Sequence, residues 1–272
     1  MKMTEYPSVA TLTEDNIIII DGDNGTKKMF VGDAILAALH LTSAQWHRMI
    51  FRGKNLGSSL TTEQKAAIQA GTFDDLWLGD YWVINNIIWR IVDFDYWLLC
   101  GDTSFTNHHL VIMPDAPLYT AQMNESNVTT GGYVGSAMYT SNLANAKTIV
   151  NSAFGSAVLS HREYLTNAVT NGYPSGGAWC DSSVELPNEI MMYGSHVFAA
   201  AGDGSFVPAR YTINKSQLAL FAACPKFIHN RQTFWLRDVV SAAGFAIVSG
   251  GGFTASSVAS YAYGVRPVFA VG

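Results

Sequence analysis

Apolar residues in the first 70 positions occur in short runs separated by turn signals. Ile17–Ile20 predicts a buried strand, residues 21–25 (Asp-Gly-Asp-Asn-Gly) predict a turn, and Lys27–Val31 predicts a returning strand. The third of the helices that follow has a capping-box pattern at Thr61 and Gln64. The predicted helices cover 34–39, 43–51 and 62–70, the last ending at Gly71. The pattern therefore predicts a small strand-turn-strand-helix module over residues 1–70.

From Phe73 the pattern becomes richer in aromatic residues and glycine. Leu76–Val83 and Ile87–Val92 predict a hairpin with Asn85-Asn86 at its turn. The other predictions before residue 200 are helices over Ser141–Phe154 and Ser160–Ala168, a loop over Asn171–Asp181 and a short ordered element over Glu189–Val197. The helix at Ser160 rests on a capping-box match with Glu163.

The end of the chain alternates short apolar strands with glycine. Strands are predicted at Phe234–Leu236, Phe245–Ser249 and Val265–Val271, with a turn at residues 250–252. Between Val239 and Val265 there is no Asp, Glu, Lys, Arg or His. Small neutral residues with a few aromatics, between two arginine-bearing stretches, are typical of a contact surface. Strands and helices together predict an α+β fold with short twisted antiparallel strands and long loops.

Composition narrows the possible partners and the compartment. The 272 residues are 49% hydrophobic and only 14% charged, with a net charge of −5. Such a chain is not disordered and has no basic footprint, so no nucleic-acid partner is expected. The start of the chain has no secretory signal and the longest aliphatic run is Ile17–Ile20, so synthesis in a bacterial cytoplasm without membrane insertion is expected. The three scattered cysteines predict neither disulfides nor a zinc site.

Local motifs that suggest metal binding or catalysis have simpler interpretations. Residues 21–25 resemble the start of a calcium loop, but the twelfth position is Gly32 rather than Glu. His108 and His109 would point to opposite faces of a strand, so no metal is expected there. Asp93 and Asp95 are predicted on the wet face of a strand. No catalytic residue and no cofactor is predicted.

Four tryptophans lie close together in the sequence, at positions 77, 82, 89 and 97. A platform on which a carbohydrate stacks is possible. Large core anchors are the favoured interpretation, because Trp is usually well buried.

Several stretches together resemble a known family. They are Gly71-Thr72-Phe73 with Trp77–Trp82, Trp89–Asp95, Asn107–Leu110 with Pro114, Met123–Asn127 with Gly131–Tyr133 and Ser136, and Trp235–Asp238 with Gly264–Phe269. This set is similar to a phage and prophage virion protein whose C-terminal part has a C-type lectin-like fold. The resemblance covers residues 71–272. The first 70 residues resemble, over a shorter stretch, the N-terminal attachment segments of phage tail and fibre proteins.

The resemblance implies a receptor-binding protein on a phage tail or particle surface. Residues 1–70 would attach it to other virion proteins, and residues 71–272 would bind a host-surface protein or glycan. A homotrimer is possible by analogy with phage fibres. In such proteins the closing region often carries residues diversified by a retroelement, whose NNY codons exclude Trp, Met, Gln, Lys and Glu. None of those five occurs from Val239 to Val265.

The segment Gly244–Tyr263 is therefore predicted to face outward and bind the ligand. Phe253, Tyr261 and Tyr263 would supply aromatic contact area, and serines would supply hydrogen bonds. The predicted ligand-binding residues are Gly244, Ala246, Ile247, Ser249, Gly251, Phe253, Thr254, Ser256, Ser257, Ser260, Tyr261 and Tyr263. Trp235, Arg237 and Arg266 are predicted to lie in the scaffold beneath.

Two other functions stay open on the sequence. One is a structural virion component, such as a decoration protein, in which the same surface packs against neighbouring subunits. The other is an enzyme, such as a glycan hydrolase, which would need two carboxylates facing each other across a cleft. We favour receptor binding because the uncharged segment is bracketed by Trp235–Asp238 and Gly264–Phe269, two of the stretches that carry the resemblance.

Overall fold

The N-terminal strands pair as the sequence predicts. The computed structural model describes residues 17–20, 27–30, 39, 41–198 and 216–272. Its contacts divide the chain into two compact units, Met1–Trp46 and His47–Gly272. In the first unit, β1 (Ile17–Ile20) and β2 (Lys27–Phe30) form an antiparallel pair with Ile17 opposite Phe30. The predicted turn at 21–25 and nearly all of the predicted helix at 34–39 lie outside the described residues.

Short helices and many strands make up the rest of the described chain. The helices are α1 (Ser43–His47), α2 (Thr62–Ala70), α3 (Leu143–Phe154), α4 (Glu189–Tyr193) and α5 (Ala219–Ala223). The strands are β3 (Tyr81–Ile84), β4 (Ile87–Phe94), β5 (Leu110–Pro114), β6 (Tyr119–Gln122), β7 (Val158–Leu159), β8 (His161–Thr170), β9 (Tyr173–Ser182), β10 (Val184–Glu185), β11 (Phe234–Ser241), β12 (Gly244–Val248), β13 (Thr254–Val258), β14 (Ala262–Val265) and β15 (Val268–Val271).

Helix α2 has the two ends that its sequence predicts. The Gln64 amide donates to Thr61 Oγ1 at 3.2 Å, and the Thr61 amide donates to Gln64 Oε1 at 3.1 Å. Gly71 ends the helix with φ of +71°, a left-handed conformation that glycine adopts without steric cost. Ile68 is fully buried, and Trp82 Nε1 donates to Gln64 at 3.1 Å. The helix therefore packs inside the larger unit.

Two sheets form the body of the larger unit. The first has the order β10-β15-β5-β4-β3, with β7 also pairing with β15. The second has the order β13-β12-β11-β14-β6, and only its β11–β14 pair is parallel. Asn85 and Asn86 turn the β3–β4 hairpin with φ of +54° and +63°, which confirms the predicted turn. The result is a mixed α+β fold with mostly antiparallel sheets, as predicted.

The predicted helix at Ser160–Ala168 and the predicted loop at Asn171–Asp181 are both wrong. The two segments form β8 and β9, a long antiparallel hairpin. His161, Glu163 and Leu165 are buried while the residues between them are half-buried, which is the two-residue period of a strand. Gly177 lets β9 approach because a Cβ there would lie 2.4 Å from the Tyr164 ring. The glycines that suggested a loop thus permit close pairing.

The tryptophans between residues 77 and 97 are core anchors, as the favoured interpretation predicts. Trp82, Trp89 and Trp97 are almost completely buried. The Trp82 and Trp89 rings each meet the edge of Phe154 at centroid distances of 6.1 and 5.6 Å. The aromatic hairpin β3–β4 is thereby packed against α3. The bounds of α3 confirm the predicted helix at Ser141–Phe154 apart from its first two residues.

The predicted exposure of Asp93 is wrong. Its side chain is fully buried, not on a wet face. Arg48 Nη2 lies 2.9 Å from Asp93 Oδ2, and the Ala219 amide donates to the same oxygen at 3.0 Å at the start of α5. Burial raises the pKa of Asp93, and the positive charge of Arg48 opposes that rise. Asp93 is thus a structural carboxylate that fixes α5.

Among the described residues, no helix is both long and apolar enough to cross a membrane.

Candidate ligand-binding surface

The closing segment forms a tight hairpin. The Ser249 amide donates to Phe253 O at 2.9 Å, and the Gly252 amide donates to Ser249 O at 2.8 Å. Gly252 has φ of +88°, and a Cβ there would lie 2.4 Å from the His229 ring. Strands β12 and β13 then pair without a register shift, from Val248 opposite Thr254 to Gly244 opposite Val258. The predicted turn at 250–252 is confirmed, but strand β13 was not predicted.

Two large aromatic side chains of this segment are exposed. Phe253 is 62% exposed and Tyr261 is 56% exposed. Gly251 and Ser256 are exposed as well, and four further residues of the predicted ligand-binding set are half-buried. We call these eight residues the closing surface: Ser249, Gly251, Phe253, Ser256, Ser257, Ser260, Tyr261 and Tyr263. The closing surface combines aromatic area with hydroxyl groups and carries no charge.

Four of the predicted ligand-binding residues do not face outward. Gly244, Ala246 and Ile247 are buried because β12 lies between β11 and β13. A Cβ on Gly244 would lie 2.4 Å from Ser257 O, so the position admits no side chain without movement. Thr254 is buried because its hydroxyl donates to a carboxylate oxygen of Glu189. The prediction that these four residues offer side chains to a ligand is wrong.

An aromatic row joins the closing surface to the core. The Tyr261 and Tyr263 rings meet at 6.1 Å, and the Tyr263 and Trp235 rings meet at 5.1 Å. Trp235 is fully buried and its Nε1 donates to Ala121 O at 2.9 Å. Tyr263 Oη also lies 3.3 Å from Ser257 Oγ on strand β13. The exposed Tyr261 ring is therefore supported by the Tyr263 ring, which in turn contacts the buried Trp235 ring.

Arg266 ties the end of the closing segment to three other parts of the chain. Its guanidinium donates to Pro114 O at 2.8 Å, Ile228 O at 2.7 Å and Phe227 O at 3.1 Å. The same group lies 5.2 Å from the centre of the Phe234 ring. Burial lowers the pKa of Arg266 to about 10. Its placement in the scaffold is as predicted.

Arg237 forms a buried ion pair with Glu163. The Arg237 Nη1 atom contacts Glu163 Oε2, and Trp97 Nε1 donates to Glu163 Oε1 at 2.8 Å. Burial alone would raise the pKa of Glu163, but the charge of Arg237 and a contact with His161 lower it to about 2. The pair joins β11 to the β8–β9 hairpin. It confirms that Arg237 belongs to the scaffold.

Glu185 is a second buried carboxyl that the sequence did not single out. Tyr133 Oη and Ser182 Oγ each lie 2.8 Å from one of its oxygens. Burial, with repulsion from Glu163, raises the pKa of Glu185 to about 7. Its neighbour Tyr133 belongs to a stretch that carries the family resemblance. The only signal in the sequence for this buried carboxyl is a Glu inside an apolar run.

Asp238 and Glu189 hold the far side of the hairpin. The Glu189 amide donates to Asp238 Oδ2 at 2.7 Å. The Glu189 carboxylate accepts from the Val197 amide at 2.9 Å as well as from the Thr254 hydroxyl. We call Glu163, Glu185, Glu189, Arg237, Asp238 and Arg266 the buried ionic frame. All six are buried.

The polar stretch after β6 supports the closing surface from the side. Thr129 donates twice at the β11–β12 turn: its amide donates to Ala242 O at 3.1 Å and its hydroxyl to Ser241 O at 2.8 Å. Asn127 Oδ1 accepts from the Ser260 amide at 3.2 Å. The polar stretch therefore helps to hold residues 258–261 in place through its hydrogen bonds.

The histidine pair has a structural role, as predicted. His109 is fully buried; its Nε2 lies 3.1 Å from the Trp97 amide and its Nδ1 lies 2.9 Å from Asn107 O. Burial lowers the pKa of His109 to about 3, so the ring is neutral. Within the described ranges, no group of three or more His, Cys, Asp or Glu could hold a metal ion.

The cysteines fit the expected reduced state. Cys100 is buried, Cys180 and Cys224 are half-buried, and all three are free.

The chain matches no protein-family model, no curated protein and no solved structure. The class that the structure defines is a mixed α+β protein with mostly antiparallel sheets.

Proposed function

We propose that the protein is a receptor-binding protein of a phage or prophage virion, of the tail or fibre type. In this proposal residues 71–272 form a C-type lectin-like domain, and the closing surface binds a protein or glycan on the host cell. Residues 1–70 attach the protein to the virion. The sequence resemblance motivates the virion context.

The observation that carries the proposal is the exposure of Phe253 and Tyr261 on an otherwise neutral surface. Aromatic residues are enriched in binding surfaces because they offer a large contact area with little rotamer entropy to lose. Tyr261 is also supported from below by Tyr263 and Trp235. A rigid aromatic row loses little entropy when a ligand binds.

The buried ionic frame explains how such a surface could change its residues without unfolding. The hydrogen bonds of Trp235 and Arg266 that are described above, and the ion pair of Arg237, go to residues outside the closing surface, and the Tyr263 ring of that surface contacts Trp235. Substitution at exposed positions therefore leaves those contacts in place. Within the proposal, diversification by a retroelement would act on the eight closing-surface positions and would spare Gly244, Ala246, Ile247 and Thr254.

The decisive experiment is a cell-binding assay with a matched control. Purified full-length protein is added to candidate bacterial host cells and the bound fraction is measured. Tyr261→Ala should reduce binding at least tenfold, because interface tyrosines often contribute more than about 1.4 kcal/mol. Tyr173→Ala is the control, since Tyr173 is 60% exposed but lies on β9, away from the closing segment in the chain.

Two outcomes would contradict the proposal. If Tyr173→Ala and Tyr261→Ala reduce binding equally, the closing surface has no special role. If Tyr261→Ala leaves binding intact but blocks incorporation into particles, the protein is a structural virion component instead. The second result would select the decoration-protein alternative.

A further inference from the structure

Among the residues that the structure describes, the outer edge of the closing hairpin is open. In the second sheet β13 pairs with β12 on one side, and no described strand pairs with its other side. The Ser249 amide bonds to Phe253 O, and the Ala259 amide bonds to Ala243 O. Antiparallel pairs alternate, so Phe253, Ala255, Ser257 and Ala259 bond toward β12 while Thr254, Ser256 and Val258 point their peptide groups away.

Ser256 is the centre of this open edge. It is exposed, and neither its N–H nor its C=O has a hydrogen-bond partner in the part of the chain that the structure describes. Val258 O accepts from the Tyr261 amide at 3.2 Å, but the Val258 N–H has no such partner among the described residues. Three peptide groups in a row are thus available to an added strand.

Other sheet edges of the same unit are covered by the chain itself. Outside β3, the Tyr81 amide donates to Lys54 O at 3.0 Å and the Val83 amide donates to Gly57 O at 2.9 Å. Next to β6, Asn142 Nδ2 donates to Gln122 O at 2.8 Å. Proteins usually protect an edge by such cover or by Lys, Pro or a bulge. Within the described part of the chain, the edge at β13 has none of these protections: its sequence is Thr-Ala-Ser-Ser-Val and its register is unbroken.

We propose that the host ligand is a protein that adds an extended, uncharged strand to the edge of β13. This inference rests on the function proposed above and names the class of its ligand. An added strand matches the open peptide groups of Ser256 and Val258, and a neutral partner matches a segment without charge. Phe253 precedes β13 and Tyr261 follows it, so exposed aromatic rings flank the strand along the chain and would contact the partner's side chains. A glycan has no regular row of peptide groups to pair with this edge.

Ser256→Pro tests the proposal directly. Proline removes the outward N–H, and an edge position whose N–H faces solvent is where a strand tolerates proline. The probe is the bacterial cells that bind the native protein in the assay above. Ser256→Pro should bind at least tenfold more weakly, whereas Ser256→Ala, which keeps the N–H and loses the hydroxyl, should bind within about twofold. Thermal unfolding of both variants checks that each is folded.

A second arm identifies the ligand class. The same cells are treated with protease or with periodate before binding is measured. Protease treatment should abolish binding and periodate should leave it unchanged. Normal binding by Ser256→Pro, or loss of binding with periodate alone, would overturn the strand proposal while receptor binding stands. If no cells bind the native protein, receptor binding itself fails, and the strand proposal fails with it.

Sedimentation of the native protein tests whether a second copy of this chain occupies the edge of β13. If it is a dimer that Ser256→Pro converts to a monomer, the edge is occupied by a second copy of this chain and the host-ligand proposal is overturned. We expect the two proteins to sediment identically.

Discussion

The closing surface and the buried ionic frame invert the usual placement of charged and aromatic residues in a folded protein. Arg237 and Glu163 lie inside as an ion pair, and the buried Asp238 carboxylate accepts from the Glu189 amide, while the outer surface has Phe253 and Tyr261 in water. Charges in the interior fix one geometry, because an unpaired buried charge is strongly destabilising. Neutral side chains on the outside form no buried ion pairs, so they do not constrain the geometry in this way. The difference predicts that stability depends on the frame and that the proposed recognition depends on the closing surface, a separation of stability from recognition that the following substitutions test.

The largest expected effect comes from breaking the frame. Arg237→Ala would leave the buried Glu163 carboxylate without its cation, which typically costs about 3–5 kcal/mol of unfolding free energy. Urea unfolding measures the loss. Arg162→Ala is the matched control, since Arg162 pairs at the surface with Asp102 and Asp181 and should cost less than about 1 kcal/mol. Equal losses would show that the buried pair has no special weight.

The next effect is a pH dependence from Glu185. Its pKa is about 7 in the folded protein, against 4.5 for an ordinary glutamate, so the folded state binds the proton more tightly than the unfolded state. Its contribution is fully present below pH 4.5 and is lost as the pH rises through 7. The loss is roughly 3 kcal/mol by pH 8, at about 1.4 kcal/mol per unit. Glu185→Gln should flatten the stability profile between about pH 5 and 8. A variant profile as steep as the native one would exclude Glu185 as the cause.

A smaller loss is expected inside the closing segment itself. Ile247→Ala removes a side chain that is only 7% exposed, and such truncations cost about 2–3 kcal/mol near the edge of a core. The midpoint of thermal unfolding should fall accordingly. Tolerance of this substitution would mean that Ile247 faces outward, as the sequence suggested, and would add it to the closing surface.

The smallest effect should come from the closing surface. Phe253→Ser and Ser256→Asn change exposed side chains and should alter the unfolding free energy by no more than about 0.5 kcal/mol each. Urea unfolding of the two variants beside Ile247→Ala separates the two parts of one hairpin. A loss above about 1.5 kcal/mol at either position would contradict the separation of stability from recognition.

Local signals in the sequence correctly predicted the helix cap and the turns, which depend only on neighbouring residues. The capping box at Thr61, the turn at Asn85-Asn86 and the glycine turn at 250–252 all appear where the sequence predicts them. Each requires only residues within a few positions of one another. Local patterns are therefore informative wherever the interaction that they describe is local.

The errors arose where distant residues decide the structure. Ser160 and Glu163 match a helix cap, but Glu163 bonds to Arg237, a partner 74 positions away that no local pattern can show. Gly244 and Ala246 are small and neutral, which suits an exposed strand and a close-packed central strand equally. Only the pairing of β12 on both sides decides between them. The frame is built from such long-range pairs, so it could not be predicted from the sequence.

Strand β15 follows the closing segment in the chain but lies inside the first sheet, between β10 and β5. During synthesis that sheet stays incomplete until the ribosome has already made residues 244–263. A closing segment that misfolds would leave Val268–Val271 unpaired, and an exposed apolar strand of this kind promotes aggregation. Chain order thus links the pairing of β15 to the folding of the closing segment that precedes it.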